Sequence, residues 1–310
     1  MRVELGINTC FAVKRWPRPG DWAPIVRDRL GLTVVQHSLD LVDLDSGPER
    51  ALQQAHEVRD VAVEAGLTIH STFTGLAAYS SNMLLHPDGE ERARARRWYE
   101  RAIAFTSAVG GLGTGGHVGA FSVPDWHDAH RRGMLWAELR STLGELAALA
   151  HRAGQRWFLV ENLAAAREPS TIAMCRELVT DGSPEQVPVR LCLDVGHQCV
   201  PGTEGDDRDP YAWLRALGRM APVVQLQQSD AQGDHHWPFT PERNRAGRID
   251  ADRVLDALEE GATEETALIL EVIPAFEEDD GAVIDALVAS VDYWREALAR
   301  RGSPRLPSRA

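Results

Sequence analysis

Four short apolar runs in this chain each end on a residue whose side-chain oxygen can bind a divalent cation. The runs are Trp157-Phe-Leu-Val before Glu161, Val189-Arg-Leu-Cys-Leu before Asp194, Val223-Val-Gln-Leu before Gln227, and Ala267-Leu-Ile-Leu before Glu271. The four terminal residues are separated by 33, 33 and 44 positions, about one strand–helix unit each. Short buried strands alternating with amphipathic helices make a parallel sheet, and a parallel sheet closed into a barrel gathers the strand ends on one rim. The spacing therefore predicts one oxygen-rich site shared by adjacent strands.

The rest of the chain repeats the pattern. Candidate strands are 3–8, 32–38, 67–72, 108–118, 157–161, 189–194, 223–227 and 267–272, and the clearest helical periodicities run over 48–65, 90–107, 133–153, 250–260 and 281–300. Eight units predict an α/β fold, a single (β/α)8 TIM barrel over residues 1–301, with 302–310 as a flexible tail of Pro, Ser and Arg. The fourth strand, carrying Gly110, Gly111, Gly113, Gly115 and Gly116, is the least regular. No internal repeat or interdomain linker interrupts the series. At 310 residues and 44% hydrophobic, the chain can bury one large core without a second domain.

Composition excludes several partners. A net charge of -13 does not suit nucleic acid or an anionic membrane, which need a basic face to displace counterions. Cys10, Cys175, Cys192 and Cys199 contain no CxxC pair, so neither a disulfide framework nor a thiolate zinc site is expected, and the expected compartment is the reducing cytoplasm. No run reaches the roughly 18 apolar residues that span a bilayer. A small polar substrate remains.

Functional side chains of such a barrel belong on the loops after the strands. Asn8 and Cys10 follow the first strand, His37 and Asp40 the second, His70 the third and His117 the fourth. Each has an alternative reading as a helix cap or turn former. That reading is weak for Glu161 and Glu271, which sit in apolar strands where an unpaired charge is costly and a metal would offset the cost. In Asp194-Val-Gly-His197, the histidine falls at the mouth of the site. The stretch Gln225–Phe239 is the densest polar and aromatic segment, and Asp230, Asp234, His235 and His236 with Trp237 read as a substrate loop. Arg243, Arg245 and Arg248 beyond it form either an anion pocket or a solvated face. Carboxylates and amide oxygens favour a hard cation, Mn2+ or Mg2+.

These residues resemble the xylose isomerase-like TIM-barrel superfamily of sugar isomerases and epimerases. The resemblance implies that Glu161, Asp194, Gln227 and Glu271 surround one divalent ion, with Co2+ and Zn2+ as alternatives to Mn2+ and Mg2+, and that Glu161 and Glu271 are the catalytic pair. Gln227 departs from the ketose 3-epimerase branch, which has His there, and shifts preference away from zinc. The implied reaction is isomerisation or epimerisation of a sugar or sugar phosphate through an enediolate, one glutamate removing a proton and the other returning it. His197, His70, His117, Asp230, His235, His236 and Trp237 are the expected substrate contacts. Decarboxylation of a 3-oxo sugar acid could use the same enediolate, and a non-catalytic sugar-binding barrel is the alternative from another class. The expected partner is a small carbohydrate, with a homodimer as the possible assembly.

Overall fold

The computed structural model describes residues 1–302. Eight parallel strands close into a barrel in sequence order: β1 Arg2–Asn8, β2 Val34–Ser38, β3 Thr68–Phe73, β4 Gly113–Gly116, β5 Trp157–Glu161, β6 Val189–Asp194, β7 Val223–Leu226 and β8 Glu265–Leu270. Closure comes from β8 against β1, paired from Arg2 with Glu265 to Ile7 with Leu270. The expected single (β/α)8 barrel is the architecture found. Among the described residues no helix is long and apolar enough to cross a membrane. Residue 302 is part of a turn, and 303–310 of the expected tail lie outside the described residues.

The period of two sorts side chains into an outer and an inner core. Outward residues such as Phe158, Val160, Leu191, Leu193, Val224, Leu226, Leu268 and Leu270 pack with the helices in one large cluster. Inward residues Val34, Phe73, Leu159, Cys192, Val223, Ala267 and Ile269 form a small apolar plug, with Trp157 against it. The inward series on the last four strands end on Glu161, Asp194, Gln227 and Glu271, so the alternation that builds the plug also sets these residues above it.

Strand four is shorter than 108–118. Ala108 and Val109 are the last turn of the helix Gly89–Val109, which stops at Gly110 with φ 82°. The remaining strand can only be glycine-rich on its inner face: a Cβ on Gly113 would lie 2.3 Å from Trp157 Cδ1, and one on Gly115 would lie 2.1 Å from Leu159 O. The helix expected from Gly133 begins at Ala129, where Asp128 accepts the backbone N–H groups of His130 and Arg131 at 2.9 and 3.0 Å.

Candidate active site

Above the apolar plug lies a layer of buried amides. Asn8 Nδ2 donates to Gln36 Oε1 (2.9 Å) and Glu271 Oε1 (3.0 Å), and Gln225 Nε2 donates to the same two oxygens at 2.9 and 2.7 Å. Gln36 in turn donates to Ser71 Oγ at 3.2 Å. This layer fixes one oxygen of Glu271 and leaves the other facing the barrel mouth. Gln36 was not among the expected site residues, and Gln225 was expected only as the start of the polar loop; the signal was an amide at an inward position of an apolar strand.

Each of the other carboxylates is held in the same way. Tyr79, from the loop after β3, donates its hydroxyl to Glu161 Oε2 at 2.5 Å. Asp194 Oδ1 accepts Gly196 N–H at 2.6 Å and Gln227 Nε2 at 3.1 Å, while Asn162 brackets the Asp194 backbone through its N–H and C=O. The consequence is specific: Glu161 Oε1, Asp194 Oδ2 and Glu271 Oε2 are all buried with no hydrogen-bond partner. Buried anionic oxygens without donors are costly, and three at one place fit a bound cation.

A nitrogen donor completes the set. His236 has positive φ (48°), which turns it inward, and its Nδ1 meets the Glu271 carbonyl at 3.2 Å. A carbonyl only accepts, so Nδ1 carries a proton, and in the neutral ring Nε2 is the nitrogen with a free lone pair. A ring nitrogen of His236 lies within 4.8 Å of ligand oxygens on both Asp194 and Glu271, and a second triad groups the ring with His197 and Asp234. Gln227 reaches the same place differently from expectation. Its nitrogen points at Asp194 and, at 2.8 Å, at Asp234 Oδ1, while its oxygen accepts the His236 N–H at 2.6 Å. The reverse amide orientation would set an oxygen against two carboxylates and an NH2 against an N–H, so the network fixes this one.

His197 Nδ1 lies 2.7 Å from Asn162 O, which leaves its Nε2 beside Asp234 Oδ2 at 3.3 Å. Asp234 also lies 3.2 Å from His236 Nε2. Its carboxyl is held far below the usual range: burial alone would raise it, but His197 and His236 on either side outweigh that. Burial drives Glu161 and Glu271 upward, their neighbouring histidines oppose it, and for Glu271 the charge of Glu161 adds to the rise. In both, burial favours the neutral carboxyl, and the neighbouring acids add to the effect.

The other expected contacts separate. His117 is buried beneath Tyr79, stacked at 4.9 Å, with Nε2 3.2 Å from Ser81 O, so it meets the site through the tyrosine. His70 is not brought to the rim. Val35 pairs with Ile69 and Gln36 with Ser71, so His70 is the extra residue of a bulge, and it packs on Trp157 at the start of β5. His37 faces outward between Trp22 and Phe105. Asp230 accepts from Gln232 and Gly233 and pairs with His235 at 3.0 Å, while His235 stacks on Trp237 at 4.0 Å and Arg243 covers that ring. These residues build the frame of the loop, and His235 points away from its neighbour His236. Arg248 donates to Arg208 O and Gln198 O, tying loops together.

Comparison with known proteins follows the same lines. Residues 28–297 match the protein family described as "Xylose isomerase-like TIM barrel". D-erythrulose 1-phosphate 3-epimerase of Brucella abortus (strain 2308) is 27% identical over 299 residues, 95% of this chain and 96% of that protein. A crystal structure from Rhodospirillum rubrum ATCC 11170, named as a candidate xylose isomerase, is 34% identical with a TM-score of 0.86, covering 95% of this chain and 99% of that one. D-psicose 3-epimerase of Clostridium cellulolyticum H10, solved with D-tagatose, shares the fold at a TM-score of 0.71 and 16% identity, over 95% of this chain and 99% of that one.

Proposed function

The chain belongs to the xylose isomerase-like TIM barrel family, and on that premise we propose that it is a divalent-metal-dependent epimerase of a short ketose or ketose phosphate, with Glu161 and Glu271 as its acid–base pair. The observation that carries this reading is the set of three buried, partnerless oxygens on Glu161, Asp194 and Glu271, with Asp194 and Glu271 grouped with His236 at ligand distance. Glu161, Asp194, Glu271 and His236 would hold the ion, with Gln227 orienting Asp194 and the His236 backbone. A mainly carboxylate donor set favours Mn2+ or Mg2+. When bound, the cation supplies Lewis-acid polarisation of a substrate carbonyl.

The remaining steps belong to the side chains. Tyr79 fixes Oε2 of Glu161, and Asn8 with Gln225 fixes Oε1 of Glu271, so each carboxyl presents one free oxygen. With one carboxyl ionised and the other protonated, the first removes the proton on the carbon beside the carbonyl and the second delivers one to the opposite face. His197, anchored on Asn162 O, supports the reading by offering Nε2 to a substrate oxygen in exchange for Asp234. The family relationship to a tetrulose-phosphate epimerase supports the substrate class.

The test is solvent exchange. Incubated in D2O with Mn2+, the protein should place deuterium on the carbon next to the carbonyl of D-erythrulose 1-phosphate; release of CO2 from a 3-oxo sugar acid instead would assign a lyase. Glu161→Gln and Glu271→Gln should each abolish exchange while metal analysis still finds an ion bound. Activity retained in both variants would sink the two-glutamate mechanism.

A further inference from the structure

Lys14 is the only lysine in the chain; the other 32 of its 33 basic residues are arginine. A chain that uses arginine everywhere else, including every ion pair with a basic aliphatic chain, keeps a compact ammonium at one place. That place is the barrel mouth. Lys14 lies six residues beyond Asn8, and Phe276 lies five beyond Glu271; Asn8 and Glu271 are themselves hydrogen-bonded at 3.0 Å. The two loops run together from there, Cys10 Sγ contacting Val272 O at 3.4 Å and Arg15 donating to Ala275 O at 2.6 Å.

Lys14 is exposed, and two features distinguish it from the other exposed cations. Its backbone is left-handed, with φ 64°, a conformation that side chains with a Cβ rarely adopt outside places where the surrounding structure imposes it. Its ammonium is positioned 3.8 Å from the centroid of the Phe276 ring, across the two loops. No carboxylate among the described residues takes it as an ion pair, although the acidic run Glu277–Asp280 follows directly and Arg15 is paired with Asp280. In a protein of net charge -13, an anionic substrate meets repulsion from most of the surface, and an unpaired cation at the rim offsets it locally.

Resting on the epimerase reading above, we propose that Lys14, set against Phe276 where the loops after β1 and β8 meet, recognises the phosphate of a ketose phosphate and so sets preference for phosphorylated over free ketose. Lysine binds phosphate as a point charge. Lys14→Met should lower kcat/KM for D-erythrulose 1-phosphate by roughly tenfold to a hundredfold, the loss of one charge-assisted contact, and leave free D-erythrulose unchanged. An unchanged ratio of the two kcat/KM values would overturn the proposal. Because there is a single lysine, reductive methylation with 13C-formaldehyde, which preserves its charge, gives one side-chain resonance beside the α-amine. Titrated with inorganic phosphate, the Lys14 signal should shift while the α-amine signal stays. If neither ketose exchanges deuterium, the epimerase reading fails, and the titration alone then decides: an unmoved resonance overturns the phosphate site, and a saturable shift upholds it.

Discussion

At the scale of single residues, the site depends on hydrogen bonds that use one oxygen of each carboxylate and leave the other buried without a partner. Tyr79 does this for Glu161 with a hydroxyl at 2.5 Å. Tyr79→Phe removes the donor but keeps the ring that stacks on His117, so the fold should survive while kcat falls roughly tenfold to a hundredfold with little change in KM. Steady-state kinetics beside a thermal melt would check this; a melt lowered in proportion to the activity would reduce Tyr79 to a packing residue. Gly196 matters through what it lacks. A Cβ there would lie 2.3 Å from Gln227 Cδ, so Gly196→Ala must push Gln227 off Asp194 and off the His236 N–H. Metal affinity, read by calorimetry, should fall by about an order of magnitude, the scale of losing a residue that orients ligands; unchanged affinity would mean that Gln227 orients nothing.

At the scale of elements, the loop after β7 carries what no strand does. Gln228 and Trp237 exchange backbone hydrogen bonds of 2.8 and 3.1 Å, which closes residues 229–236 into a loop whose tip returns over the barrel. Asp234 and His236 reach the carboxylate cluster by that return, whereas His235, between them, stacks outward on Trp237. In the metal-free protein, burial would lower the His236 imidazole, but Asp234 and Glu271 raise it to about 9. A metal binds only the neutral ring, so below pH 9 binding must expel that proton. Affinity should therefore climb with pH by up to about tenfold per unit between 7 and 9. Calorimetry in buffers of different ionisation enthalpy would count at least one proton released, and zero release would remove His236 from the ligand set. The sequence showed the density of this loop but not its path: strand ends follow from a period of two, whereas the direction of adjacent loop residues depends on one positive φ. The same limit hid Tyr79, and the bulge at His70 broke the alternation that sets Glu161, Asp194 and Glu271 on the inner face.

At the scale of the whole molecule, the barrel was legible because eight apolar runs at unit spacing admit few other closures, and β4 was poorly legible because its inner face is emptied to make room for Trp157 and Leu159. The outer core hides one more consequence in His37, which the sequence placed at the rim and the structure places between the barrel and its helices. Its ring lies against Trp22 and Phe105 and its Nδ1 has no partner. Burial lowers its pKa from 6.5 to about 4. Above pH 6.5 the ring is neutral in both folded and unfolded chains, and it adds no pH dependence. Between 6.5 and 4 the unfolded chain binds a proton that the folded one refuses, so stability falls as pH falls, by about 1.4 kcal/mol per unit. His70 and His117, also lowered to about 4 by burial, act in the same direction. Replacing His37 by leucine removes its share without touching the carboxylate cluster of the barrel interior. From pH 7.5 to 5.0, urea unfolding should show the variant losing roughly 2 kcal/mol less stability than the parent, the slope integrated from 6.5 to 5.0. Equal losses in the two proteins would mean that the buried imidazole is already solvated in the folded state.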